Sequence, residues 1–273
     1  MRSIKFTKMQ GSGNDFVVIE DPKMTISGSL VEKICDRKFG IGADGILFIG
    51  KSKKADSSMR IFNADGSEAE MCGNGARCAS MYLYLRKKMK KLSLETKAGI
   101  ISAEIRSGRV KIKLTDPEDI KLDIQVKSAG KEYEVDFINT GVPHAVIEVG
   151  DLNSLPVKEL GKMIRHHEVF HPGGTNVDFI KVIDKAHVFV RTYERGVEDE
   201  TLACGTGSVA SAIIAVLNSC GEMPEHPGSE HKVFVRTWGG EHLIVYFKIL
   251  KKKIVDVWLE GEAKVVFKGE YFI

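Results

Sequence analysis

No stretch of this chain reaches the roughly 18 consecutive apolar residues that a membrane-spanning helix requires. Met1-Arg2-Ser3-Ile4-Lys5 runs straight into an alternating pattern, without the apolar core of a signal peptide. The expectation is a soluble, cytoplasmic protein with no membrane partner. Cysteine is also sparse: Cys35, Cys72, Cys78, Cys204 and Cys220 make an odd number in a long chain without secretory features, so no disulfide framework is expected. An excess of one charge is missing too. Forty Lys and Arg against 37 Asp and Glu leave a net charge of +3, too mild for a nucleic-acid partner and compatible with a small anionic ligand. His166, His167 and His171 lack any accompanying ligand pattern, so no metal is expected and surface or capping roles are preferred. What remains is a chain of 273 residues, 43% hydrophobic, large enough for one large or two ordinary domains, with two preferred.

The feature that organises the chain occurs twice. Glu70-Met71-Cys72-Gly73-Asn74-Gly75 and Leu202-Ala203-Cys204-Gly205-Thr206-Gly207 each place a cysteine and a Gly-x-Gly before a run long enough for a helix. Each sulfur should therefore sit where a helix begins. Unpaired backbone N–H groups and the positive end of the macrodipole favour anions there, thiolates included. One copy in each half of the chain is the pattern of two similar lobes. A fainter echo, Asn14 before Phe16-Val17 and Asn176 before Val177, reads as part of the same duplication.

The first lobe reads as short strands, a helix from Ser29 to Lys38, and a helix after Cys72 with Ala76, Ala79 and Leu83 on one stripe. Gly40-Ile41-Gly42-Ala43-Asp44-Gly45 matches a dinucleotide fingerprint, but that motif needs a strand before it and a helix after it, the reverse of the order here. Pro117 marks the boundary. The second lobe repeats the grammar, with a helix from about Val157 to His166 and an almost wholly apolar one after Cys204. The expected division is 1–117 with 262–273, and 118–261. Because strands outnumber helices and pair through short turns, the fold class is α+β: two pseudo-symmetric lobes, each a mostly antiparallel sheet around a central helix, with the active site in the cleft between them.

Two weak acids across one site suit the inversion of a carbon centre, which needs a base on one face and an acid on the other. The Cα proton of an amino acid fits. Its developing negative charge spreads onto the carboxylate, where two helix N-termini could hold it. A thiol hydrolase using His144, or a binding protein of the same fold, would leave the matched cysteines unexplained.

The stretches 11–16, 62–67, 72–78, 143–144, 174–177, 193–196 and 203–207 resemble the diaminopimelate epimerase family, in the family's order and over nearly the whole chain. The resemblance implies a cofactor-independent two-base epimerase, with two α/β lobes and the final strand returning to the first. Residue by residue, Cys72 and Cys204 match the acid/base pair. The backbone of Gly73, Asn74, Gly205 and Thr206 matches the carboxylate cradle. Asn14, Asn63 and Asn176 match substrate-binding asparagines, Glu194 and Arg195 a charged pair for a zwitterion, and His144 a histidine close to the reacting centre. Val142 replaces an asparagine found in many relatives, Gly45 replaces a glutamine found in some, and 196–201 holds a one-residue insertion. An amino-acid substrate and a homodimer are expected. A proline, hydroxyproline or histidine racemase would share the cysteine pair and differ in its distal contacts.

Overall fold

A computed structural model describes residues 3–21, 25–128, 130–220 and 230–273. The chain divides into two compact units, 1–113 with 260–273, and 114–259.

Unit 1 opens with β1 (Ser3–Gly11) and β2 (Asn14–Ile19), paired antiparallel so that Gly11 faces Asn14. The two-residue turn puts Ser12 at φ 58° and Gly13 at φ 79°, a conformation that matches the right-handed twist of the strands. α1 (Gly28–Cys35) starts at Ser27, whose hydroxyl accepts the Leu30 N–H at 3.3 Å. Then follow β3 (Gly45–Gly50), β4 (Ser57–Asn63), β5 (Glu68–Ala69), α2 (Gly73–Lys87), β6 (Lys91–Thr96), β7 (Gly99–Arg106) and β8 (Arg109–Lys113). Among these strands β2–β3 and β4–β6 pair parallel, and β1–β2, β3–β4, β4–β5, β6–β7 and β7–β8 pair antiparallel.

Unit 2 contains β9 (Glu118–Ser128), β10 (Lys131–Asn139), β11 (Pro143–Glu148), α3 (Val157–Arg165), β12 (Asn176–Asp184), β13 (His187–Glu194), β14 (Asp199–Thr201), α4 (Gly205–Cys220), β15 (Glu230–Thr237) and β16 (His242–Leu250). Its ladder repeats that of unit 1: β10–β11 antiparallel, β11–β12 parallel, β12–β13 and β13–β14 antiparallel, β13–β15 parallel, β15–β16 antiparallel. β17 (Lys253–Glu262) and β18 (Lys264–Phe272) complete the chain, and β18 pairs with β1 in unit 1, while β9 pairs with β10 in unit 2. β9 was not expected from the sequence. Its alternation is broken by charge, with Lys121, Asp123 and Lys127 exposed, and only Val126 is fully buried.

Each sheet wraps a central helix and carries a second helix on its other face. α2 touches β1–β4, β6–β8 and β18, and α4 touches β10–β13, β15 and β16. α2 is buried continuously from Gly75 to Leu83, not along the expected stripe, because the sheet surrounds it. Period-2 geometry then explains the unbroken apolar runs of β2 and β3. Val17, Ile19, Ile46 and Phe48 pack with α1, while the intervening Phe16 and Leu47 lie against Gly75 at the start of α2. In unit 2, Ala145, Ile147, Val177 and Phe179 pack on the α3 side. α3 approaches so closely that a Cβ at Gly161 would overlap the Tyr193 Cβ and ring. Gly161→Ala would gain about 1 kcal/mol of helix propensity, but overpacking costs about 1–3 kcal/mol. Because the clash is with the Tyr193 Cβ and not a flexible tip, the penalty should win, and urea unfolding should show a net loss of stability.

The facing of the strands also fixes which residues correspond between units. Gly75 of α2 matches Gly207 of α4, and each lies against the third residue of a strand, Leu47 of β3 and Asp178 of β12 respectively. With the ladder registers, Phe16 then corresponds to His144, Gly45 to Asn176, Ile61 to Thr192 and Asn63 to Glu194. Asn14 and Asn176 are therefore not equivalent, contrary to the echo seen in the sequence. Asn14 corresponds to Val142 and Asn176 to Gly45. The echo failed because Asn14 opens β2, the second strand of the repeated ladder, while Asn176 opens β12, the third when that ladder is counted from β10.

Candidate active site

Cys72 and Cys204 occupy the same structural position, one residue before α2 and α4. Cys72 Sγ accepts the Gly75 N–H at 3.5 Å and Cys204 Sγ accepts the Gly207 N–H at 3.4 Å. Their carbonyls accept the first intrahelical N–H groups, from Ala76 at 2.8 Å and Ser208 at 2.9 Å. Each thiol is thus a helix N-cap. Gly73 and Asn74, like Gly205 and Thr206, are the opening residues of these helices, where backbone N–H groups have no intrahelical acceptor and suit a carboxylate.

The surroundings of the two sulfurs differ. The Cys72 thiol donates to Asn14 Oδ1 at 3.8 Å, and Asn14 Nδ2 donates to Asp44 Oδ2 at 2.8 Å. Arg37 bridges Asp44 and Asp15 at 2.7 and 2.8 Å, and Lys8 pairs with Asp15 at 2.5 Å, so cations balance the carboxylates. Burial pushes the Asp15 carboxyl up, but hydrogen bonds from Arg37 and Lys8 outweigh it and hold the group at about 2. Because that lies below its ordinary value of 3.8, the carboxylate contributes stability that is complete above about pH 4 and is lost as pH falls towards 2. The contribution is about 2 kcal/mol. Urea unfolding between pH 5 and 2 should show that loss, and Asp15→Asn, less stable at pH 6, should lose less over the same range.

Arg77, which the sequence reading passed over, is fully buried in α2. Its guanidinium reaches Ser12 Oγ, and Asn74 Oδ1 at 2.6 Å. It holds the left-handed Ser12 turn on the helix start and so places Asn14 beside Cys72. The signal was present as an arginine inside an otherwise small-residue helix, where burial requires a polar partner.

In unit 2, Cys204 is buried, with Thr206 Oγ1 at 3.4 Å. Burial, reinforced by the charges of Glu194 and Asp178, pushes its thiol well above the ordinary range. A helix start alone was expected to lower a thiol, but here desolvation and two carboxylates outweigh the helix end. Burial also raises Glu194. His144 Nδ1 lies 2.6 Å from Asp178 Oδ2, with both side chains fully buried, and Thr192 Oγ1 donates to Asp178 Oδ1 at 2.6 Å.

Asn176 is buried and spent on the backbone: Nδ2 donates to Pro143 O at 2.9 Å and Oδ1 accepts from Arg195 N at 2.8 Å. It ties the His144 segment to the Glu194-Arg195 segment. Asn63 donates from Nδ2 to Ser67 Oγ at 3.0 Å, inside the turn that leads towards Cys72. Arg195 Nη1 reaches Gly173 O at 3.3 Å. His167 caps a short turn by accepting the Val169 N–H at 3.3 Å. The Gly40–Gly45 segment lies after α1 and before β3, the order that argued against a dinucleotide site. No described helix is long and apolar enough to cross a membrane.

Two ladders of identical topology, each closed on a helix capped by a cysteine, define a duplicated α+β class. A Bacillus anthracis protein of the phenazine biosynthesis PhzF family shares it at a TM-score of 0.76, with 19% identity over 100% of both chains. The chain itself belongs to the diaminopimelate epimerase family, whose model matches residues 6–119 and 137–265. It is 46% identical to the diaminopimelate epimerase of Archaeoglobus fulgidus, over 97% of this chain and 95% of that one. It is 42% identical to that of Aquifex aeolicus, over 97% of each.

Proposed function

We propose that this isomerase interconverts LL- and meso-diaminopimelate in lysine and peptidoglycan-precursor biosynthesis, with Cys72 and Cys204 as the base and acid. A thiolate takes the Cα proton from one face while the other thiol delivers a proton to the opposite face; in the reverse direction their roles exchange. The opening N–H groups of α2 and α4 receive the carboxylate as charge develops on it. The proton transfer itself uses no electron-sink cofactor. What carries the reading is the matched capping of Cys72 and Cys204 in a chain of this family. Asn14 and Asn63 serve the substrate from unit 1, His144, Glu194 and Arg195 from unit 2, with Asn176 holding the last three in register.

The test is Cα exchange in heavy water without added cofactor, followed by mass spectrometry. Solvent deuterium entering LL-diaminopimelate as meso product forms supports the reading, and inversion without exchange would refute it. The enzyme is read as a cytoplasmic homodimer. Val265, Val266, Phe267 and Phe272, exposed along β18, support an apolar contact between copies.

A further inference from the structure

The two units provide an internal control on each other. Beneath the start of α2 lie Phe16, Leu47 and Ile61, an apolar column. At the corresponding positions beneath the start of α4 lie His144, Asp178 and Thr192, all buried and joined in a hydrogen-bonded row. The same architecture folds around either set, so the fold does not require the polar one. A buried charged pair adds little net stability over apolar residues of similar size, and its presence in one unit alone calls for another explanation.

Three observations locate its effect. His144 Nε2 is buried and has no hydrogen-bond partner among the described residues. Asp178 packs so tightly against α4 that a Cβ at Gly207 would overlap its Oδ1, which puts the carboxylate beside the cap formed by Cys204. Among the described residues no arginine or lysine is paired with Asp178, unlike Asp15 and Asp44 in unit 1.

We propose that Asp178 is a positioning residue for the reaction: it fixes His144 with the proton on Nδ1, keeps Nε2 for the bound ligand, and holds Cys204 as a thiol in the resting enzyme. The inference rests on the two-cysteine reading above. The groups that face Cys204 are Asp178 from β12 and Glu194 from β13, with His144 from β11 in reach of both carboxylates. His144 is the only base among them that could offset their charge. Two carboxylates beside Cys204 disfavour a thiolate there, so the proposal makes the other cysteine the starting base. Cys204 then begins as the acid, and the free enzyme is biased towards one of its two protonation states.

The experiment is iodoacetamide labelling of each cysteine from pH 6 to 10, read by peptide mass spectrometry, on the wild type and Asp178→Asn. Asparagine keeps the shape and removes the charge. Cys204 in the variant should label about tenfold faster at pH 8, with its half-labelling pH lower by about one unit. Cys35 and Cys78, buried in unit 1, should stay unlabelled and report an intact fold. Turnover of LL-diaminopimelate should fall about 100-fold in kcat with KM within about threefold, since positioning for proton transfer is lost while binding is kept. Labelling and kcat unchanged from wild type would overturn the proposal. A second measurement needs no variant: long-range 1H–15N correlation on the wild type should show His144 protonated at Nδ1, and an unprotonated Nδ1 would overturn it. If Asp178→Asn behaves as wild type while Cys204→Ala abolishes inversion, this inference fails and the two-base reading stands. If Cys204→Ala retains inversion, the two-base reading fails instead.

Discussion

Cys72→Ala and Cys204→Ala should each lower inversion of LL-diaminopimelate by at least about 10⁴-fold, because each removes the only proton carrier for one face of Cα. The cap geometry makes the result interpretable. Alanine removes the sulfur that accepts the Gly75 or Gly207 N–H, which costs about 1 kcal/mol. That is small against the 5–15 kcal/mol typical of a folded domain, so both variants should remain folded and should melt within about 10 °C of the wild type. The proposed carboxylate cradle is built from the backbone of Gly73, Asn74, Gly205 and Thr206 and should survive either change. Binding of meso-diaminopimelate, followed by calorimetry, should weaken by no more than about tenfold. Full turnover by either variant would end the two-base assignment. Lost turnover together with lost binding would mean that the cysteines hold the substrate instead of moving its proton.

The second large effect concerns which amino acid is turned over. One α-amino-acid head can occupy the two helix starts and a few polar groups, yet the proposed site also includes Asn14, Asn63, Glu194 and Arg195. Diaminopimelate carries a second head that could use this surplus, whereas proline or hydroxyproline would cover these polar groups without pairing them. A site built for such groups rejects ligands lacking them by factors of about 10⁴. In this chain Val142 takes the place that Asn14 holds in unit 1, so on the proposed reading one amide is missing from the distal contacts. Assays of LL-diaminopimelate, proline, hydroxyproline, histidine and glutamate by chiral chromatography should give kcat/KM at least about 10⁴-fold higher for the first. Values within tenfold for any other would keep the chemistry and change the substrate.

The parts that were legible in the sequence share a local cause. Cys-Gly-x-Gly before an apolar run marks a helix start by cap chemistry alone, and strands with short turns announce themselves by period 2, so α2, α4 and most of the ladder could be read directly. β9 was missed because its exposed faces carry charge and little of it is buried. The equivalence of Asn14 and Asn176 was misjudged because residue type was matched without knowing which strand of the ladder each opened. The row His144, Asp178 and Thr192 was invisible for a deeper reason. Its members come from three separate strands, and only the cross-strand registers bring them under one helix. Arg77 could have been suspected from its apolar neighbours, but its tie to Ser12 depends on a turn that only the fold reveals.

The capping of the two sulfurs has a consequence for the barrier itself. In water, moving charge onto a sulfur requires surrounding dipoles to rotate towards it, and that rotation is part of the activation free energy. At Cys72 and Cys204 a backbone N–H already points at each sulfur before any charge arrives, held there by the same geometry that starts the helix. On the proposed two-base reading, the thiol that gives up its proton gains charge while the thiolate that takes the Cα proton loses it; each cap only strengthens or weakens in place, and no donor has to travel. The folding of α2 and α4 has therefore done the solvent's work in advance, with the reorganisation completed once, when the chain folds, and not repeated at each turnover.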